Sequence, residues 1–377
     1  MDYAGFVPVD PRVLAVMTPF LEGWVGNPSA IHTLGQEARE SLAAARAKIA
    51  RLVGGRPDGV IFTGGATESN NLAIKGVALR GSKRHLITTA IEHTSVLTPC
   101  RDLVKHGFDV TVLPVDAEGR LEPERVRAAF RPDTALVSVG AANAEIGTIQ
   151  PWRAIAEITR QAGVPFHVDG VGAMGRVPLA VEPDGIDLLT VSANDLYGPP
   201  GVGALWVRQG VRLLPQLLGG GQEEGLRSGT ENLAGVVGLG VAAELALREG
   251  RVEGDRLRAL RDLLLEGLAA RCAAARLTGP RERRLPHHVS LIVGGIKGES
   301  LLLALDLVGI SASTGSACAA VTREPSHVLR AIGLEAREAE GSLCVTLGRW
   351  TQAEDVQVLL AELPVIVERL RALSPLA

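Results

Sequence analysis

The chain has 377 residues, 46% apolar and 21% charged, which is long enough for two packed domains and too apolar to stay disordered. A formal net charge of −3 and a pI near 6.3 supply no long-range attraction for nucleic acid or an anionic membrane. The many arginines are dispersed among acids in helical stretches such as 251–261 and read as solvated helix faces. Four cysteines, Cys100, Cys272, Cys318 and Cys344, show no CxxC or other short metal-ligand spacing, and the chain has no secretory signal or membrane-length apolar run. A reduced cytoplasm is the expected home. Met1-Asp2-Tyr3 opens almost directly into motif-bearing sequence, so no targeting extension is expected ahead of the fold.

In chain order, short apolar runs at 60–63, 85–89, 110–115, 135–140, 165–169, 188–192 and 203–207 predict strands. Amphipathic stretches at 36–52, 122–130 and 154–162 predict helices between them. This alternation implies an α/β domain with a mainly parallel seven-stranded sheet covered on both faces. A long helical pattern over 232–275, interrupted near Gly250 and Gly254, follows. Strands at 288–293, 310–314 and 343–347, with helices at 299–308 and 353–373, then predict a smaller α+β domain. The expected division assigns 13–250 to the large domain and 1–12 with 251–377 to the small one. No internal repeat or low-complexity tract is present.

Six segments carry chemistry. Gly64-Gly65-Ala66-Thr67-Glu68-Ser69-Asn70-Asn71 joins a strand to a helix. Its backbone N–H groups and the Thr67 hydroxyl make an anion cradle, although a tight strand-to-helix turn would use the same glycines. Asp169 closes a buried strand at the end where α/β sheets bind ligands, or else caps the following turn. His93 and Asn143 lie in Ile91-Glu92-His93-Thr94 and Ala142-Asn143-Ala144-Glu145-Ile146-Gly147; a lone histidine of this kind is more often structural. Ser192-Ala193-Asn194-Asp195-Leu196-Tyr197-Gly198-Pro199-Pro200-Gly201 runs from a strand into a Gly/Pro turn. Cys318, in Ser313-Thr314-Gly315-Ser316-Ala317-Cys318-Ala319-Ala320, sits among small residues that suit an accessible loop, whereas Cys100 and Cys272 read as buried structural thiols.

These segments together resemble the cysteine desulfurases, pyridoxal-phosphate enzymes of the class V aminotransferase group with the fold-type I architecture. The resemblance runs from Asp2-Tyr3 to Ser374-Pro375-Leu376. It implies that the loop with Ala66 and Thr67 holds the cofactor phosphate, together with the hydroxyls of Ser192 and of Thr230 in Leu226-Arg227-Ser228-Gly229-Thr230-Glu231-Asn232. It gives His93 the ring-stacking role, Asn143 the phenolic oxygen, Asp169 the pyridine nitrogen and Cys318 the persulfide. By the same resemblance the Thr230 loop reaches into a partner subunit's site, which implies a homodimer.

The departures from the family pattern are concentrated. The family carries Ser-x-His-Lys before Tyr-Gly-Pro, and that lysine holds the cofactor as a Schiff base; here Asn194 replaces the histidine and Asp195 the lysine. An aspartate cannot form an imine. The family's amino-terminal Ala-Thr-Thr is Gly5-Phe6-Val7, a ring-contacting glutamine is Gly172, and the arginine that grips the substrate carboxylate is Cys344. A cysteine cannot replace a bidentate arginine at a carboxylate.

Three readings follow. One is a desulfurase homologue, a pseudoenzyme for cysteine desulfuration, that serves sulfur transfer or iron-sulfur assembly as scaffold, regulator or persulfide relay. Its partner would be a sulfur acceptor, an iron-sulfur scaffold protein or an active desulfurase. Another is an enzyme that holds pyridoxal phosphate, pyridoxamine phosphate or another phosphorylated ligand noncovalently, with Asp195, His93 and Asn194 doing different acid-base work. A third is a metal or iron-sulfur site built from Cys318 and Cys344, to which Asp195, His93 and Asp169 add possible ligands.

Overall fold

The computed structural model describes residues 1–4, 7–23, 25–315 and 325–373. Helix α1 (Pro11–Glu22) starts at Asp10, whose carboxylate accepts from the Arg12 N–H, with proline in the first turn. Helix α2 (Thr33–Val53) buries Ala38, Leu42, Ala45 and Ile49, spaced three or four apart on one face. It stops at Gly54, whose φ of 64° is the left-handed value that favours glycine.

Strand and helix then alternate as the apolar pattern implies: β1 (Val60–Thr63), α3 (Ala66–Arg80), β2 (His85–Thr89), α4 (Thr94–Val104), β3 (Asp109–Leu113) and α5 (Pro123–Ala128). There follow β4 (Thr134–Gly140), α6 (Trp152–Ala162), β5 (Phe166–Asp169), the single turn α7 (Val181–Asp184), β6 (Leu188–Ser192) and β7 (Gly203–Val207). The seven strands form one sheet in the order β1-β7-β6-β5-β4-β2-β3. Only β7 runs against the others, pairing antiparallel with both β6 and β1. The central strands are buried on both faces, which explains continuous apolar runs where a half-exposed strand would alternate. Because β4, β5 and β6 are parallel, their carboxyl ends open on the same edge of the sheet, the place where such sheets bind ligands.

Helix α8 (Leu233–Arg271) is continuous over 39 residues, without the interruption expected near Gly250 and Gly254. A Cβ on Gly250 would collide with the Gly175 carbonyl oxygen, so that glycine lets the helix lie against a turn and does not break it. The remaining elements are β8 (Ala275–Leu277), β9 (His288–Val293), α9 (Gly298–Asp306), α10 (His327–Ala331), α11 (Ala336–Ala339), β10 (Ser342–Thr346) and α12 (Ala353–Leu373). The second sheet is antiparallel in the order β10-β9-β8. Residues 310–314 form no strand; Ser313 makes one isolated bridge to Cys344. The large sheet has a core on each face, one under α1, α2, α6 and α8 and one under α3 and α4; a third core joins β9 and β10 to α9 and α12, and a smaller cluster around Ile146, Ile292 and Leu329 lies beside them. Among the described residues no helix is long and apolar enough to cross a membrane.

Candidate functional site

The β1–α3 turn brings Gly65 to φ 137°, a conformation open to glycine, and no side chain caps the first turn of α3. The first N–H groups of that helix, from Ala66 onward, have no intrahelical partner and lie at the positive end of its dipole. Gly203 of β7 sits beside Gly65 so closely that a Cβ there would strike the Gly65 backbone. The Gly64 N–H is already taken by Glu68, 2.7 Å away, and Glu68 is held in turn by Arg227 at 2.8 Å.

Ala66 and Thr67 line one wall of a cavity of about 310 Å³ whose floor is the carboxyl edge of the large sheet. His93, Asn143, Asp169, Asn194 and Asp195 line the same cavity, so the fold gathers seven of the expected site residues. Ser192 lies just behind: its hydroxyl holds the Asp195 carboxyl. Thr230 is exposed, and Cys318 lies outside the described residues.

Asp169, at the end of β5, accepts from Asn70 Nδ2 at 2.7 Å and from the Val171 N–H at 3.1 Å. Asn70, fully buried on α3, also donates to the Ser95 hydroxyl at 2.8 Å. Ser95 lies 2.8 Å from Nδ1 of His93, which caps α4 and also accepts the Ser95 N–H. A chain of side chains therefore runs from Asp169 through Asn70 of the cradle helix and Ser95 to the imidazole. Asn143 is committed largely to its own turn: Oδ1 accepts from the N–H groups of Glu145 and Ile146, and Nδ2 donates to the Ile91 carbonyl.

Several lining residues escaped the sequence reading as site residues. Glu92 is buried beneath the cavity, accepting from Thr89 Oγ1 at 2.6 Å and the Gly140 N–H at 2.8 Å. Burial, reinforced by the nearby Asp169 charge, pushes its carboxyl up to about 8. Glu145 is likewise raised to about 8 by burial. The His327 Nε2 lies 2.9 Å from the Glu92 carbonyl. An acid whose role depends on being buried gives no local signal; only the tertiary packing places it.

Cys344 faces the cavity from β10, and its sulfur lies 3.3 Å from His288 Nε2, which also meets the Ala144 carbonyl at 2.7 Å. Burial raises the Cys344 thiol to about 12 and lowers His288 to about 3, so neither is poised as a charged nucleophile or clamp. Among the described residues no group of three or more His, Cys, Asp and Glu is placed to hold a metal ion. Gly172 lines the cavity too, 3.1 Å in Cβ reach from the Ala142 carbonyl, which leaves little room for a larger residue.

Asp195 is partly buried in the short 3-10 turn after β6, and it lines both the large cavity and a second one of about 20 Å³. Burial raises its carboxyl, with Asp169 adding to the rise while Arg176 and the Ser192 hydroxyl oppose it. Behind it, Tyr197 donates to Glu253 at 2.7 Å and accepts the Arg349 N–H at 2.8 Å, while the Arg349 guanidinium binds Glu253 and Asp10.

The aminotransferase class-V family model matches residues 1–359. The chain is 49% identical over 377 residues to cysteine desulfurase IscS 1 of Archaeoglobus fulgidus, covering 100% of this chain and 98% of that one. It belongs to the cysteine desulfurase family. Cysteine desulfurase IscS of Dictyoglomus turgidum is 46% identical, with 100% and 96% covered. Among solved structures, a NifS-like protein superposes with a TM-score of 0.92 at 36% identity, covering 98% and 99% of the two chains.

Pyridoxal phosphate is the cofactor of the cysteine desulfurase family. The site of this member fits that group at the uncapped α3 turn and at Asp169, but offers no amine for a covalent link. None of the five lysines lines the cavity; Lys75 is paired with Asp102 and Lys48 with Glu244.

Proposed function

We propose that this cysteine desulfurase relative works in sulfur transfer and iron-sulfur assembly without desulfurating cysteine itself, as a scaffold, regulator or persulfide relay. The supporting observation is Asp195: a carboxylate stands in the cavity where family chemistry needs an amine. As a relay, the Cys318 thiolate would attack the outer sulfur of a donor persulfide and the donor would leave as thiolate, with no net change in oxidation state. The partner is then a sulfur acceptor, an iron-sulfur scaffold or an active desulfurase, met by a homodimer in which Thr230 completes the neighbouring site.

The uncapped α3 turn and the Asn70–Asp169 pair favour a second reading within the same site, a phosphorylated ring ligand held noncovalently. The α3 backbone and Thr67 would orient its phosphate, Asp169 a protonated ring nitrogen, and His93 one face of the ring. When bound, such a cofactor supplies an electron sink for carbanionic chemistry.

The test is reduction of the pyridoxal-phosphate-treated protein with borohydride, followed by peptide mapping, alongside a sulfide assay with cysteine. No adduct at a cavity residue and no steady sulfide release are expected. Sustained sulfide production would overturn the reading.

A further inference from the structure

The cavity has an unusual charge balance. Its described lining includes four carboxyl groups, those of Glu92, Glu145, Asp169 and Asp195, and neither an arginine nor a lysine. Asp169 is satisfied by Asn70 and the Val171 N–H, and Glu92 by Thr89 and the Gly140 N–H. Each of the other two is met by a single serine hydroxyl, Ser192 for Asp195 and Ser326 for Glu145. No ion pair closes on Asp195 among the described residues; Arg176 faces it from the small cavity behind without reaching salt-bridge distance. Glu145 is only 8% exposed, and its Oε1 has no hydrogen-bond partner although Ser326 holds the carboxyl. A buried carboxyl oxygen without a partner carries a desolvation cost that a donor on a ligand would recover. The wall of the cavity formed by α3 presents uncapped N–H groups suited to an anion.

We propose that the cavity selects a phosphorylated ligand carrying a primary ammonium, with the phosphate at the α3 turn and Asp195 as counter-ion to the ammonium. Resting on the noncovalent reading above, this names the aminated cofactor form, pyridoxamine phosphate, over its uncharged counterparts. Glu145 and Cys344 make their part of the cavity a place for hydrogen-bond donors, so a second molecule bearing a carboxylate is disfavoured there. The substitution at position 195 thereby exchanges a covalent bond for an ion pair.

Calorimetric titration of the full-length protein with pyridoxamine 5′-phosphate and with pyridoxine 5′-phosphate isolates the charge, because the two differ by an ammonium in place of a hydroxyl. The amine should bind at least tenfold more tightly. Asp195→Asn should remove most of that preference while leaving pyridoxine phosphate within about threefold, and Asp195→Ser repeats the measurement should the first variant fold poorly. Equal affinities, an unchanged preference in both variants, or no binding of either ligand would overturn the proposal. A borohydride-stable adduct in the cavity would instead sink the noncovalent reading while the amine preference could still hold, so the two failures are separable.

Discussion

Two walls of the cavity are built from different material. At the α3 wall the ligand-facing groups are backbone N–H groups, fixed by Gly65 and by the close approach of Gly203. Any sequence that folds this way keeps them. At Asp195 and Cys344 the chemistry of the wall depends instead on single side chains. The described lining carries neither a lysine nor an arginine beside that turn. Backbone-built sites persist with the architecture, whereas side-chain chemistry can be removed one residue at a time.

The largest effect should come from restoring the amine. Asp195→Lys is expected to change borohydride trapping of pyridoxal phosphate from none to near-stoichiometric labelling of residue 195, read by peptide mass. Failure would mean that the departure from the family pattern extends to the surroundings, Asn194 and Gly172 first. Next, Cys344→Arg should raise the affinity for free cysteine by about ten- to a hundredfold, the range of a charge-assisted hydrogen bond worth about 1.5–3 kcal/mol. An unchanged titration would show that the clamp needs more than its arginine.

Stability against pH sharpens the contrast further. Glu92 and Glu145, raised from 4.5 to about 8, keep protons that the unfolded chain has released, so their contribution falls as pH rises through that window. His167 and His288, lowered from 6.5 to about 3, stay neutral while the unfolded chain binds protons, so theirs falls as pH drops from 6.5 toward 3. The two trends oppose each other between 4.5 and 6.5, and thermal unfolding should show a plateau there with losses on both sides. Each group accounts for up to about 1.4 kcal/mol per pH unit. Glu92→Gln should flatten the alkaline flank; an unchanged slope would contradict a protonated Glu92. The smallest effect expected is that of Asn70→Ala, which strips Asp169 of a donor and should lower stability by about 1–3 kcal/mol in denaturant unfolding. A loss confined to ligand affinity would assign Asn70 to the site alone.

Much of the fold was legible because the signals are local. The runs at 60–63, 85–89, 188–192, 203–207 and 288–293 match β1, β2, β6, β7 and β9 at both ends, since buried strands bounded by turn residues leave little ambiguity. The 310–314 stretch, Ile-Ser-Ala-Ser-Thr, makes a single bridge and does not become a strand, and the three-residue β8 is too short for its Ala-Arg-Leu alternation to be read as one. Asp169, His93 and Asn143 line the cavity and stand in motifs that are visible in the sequence. The relation of Cys344 to His288 is not visible there, because it depends on the β9–β10 register, which places Cys344 opposite Ser290 and diagonal to His288. Glu92 and Glu145 were quoted only as neighbours, and their burial is a property of the assembled sheet.

The Tyr197 network has a mechanical meaning. Tyr197 lies two residues beyond Asp195 in a left-handed turn, with φ of 60°, and its hydroxyl joins α8 through Glu253 to the segment after β10 through Arg349. Arg349 continues the linkage to Asp10 at the head of α1. Three regions distant in sequence are thus riveted to the turn that presents residue 195. Force applied to the smaller sheet, as by a docking protein, would be carried through Arg349 to that turn as well as to the Cys344 wall of the cavity. The lever is intact whatever chemistry its tip carries.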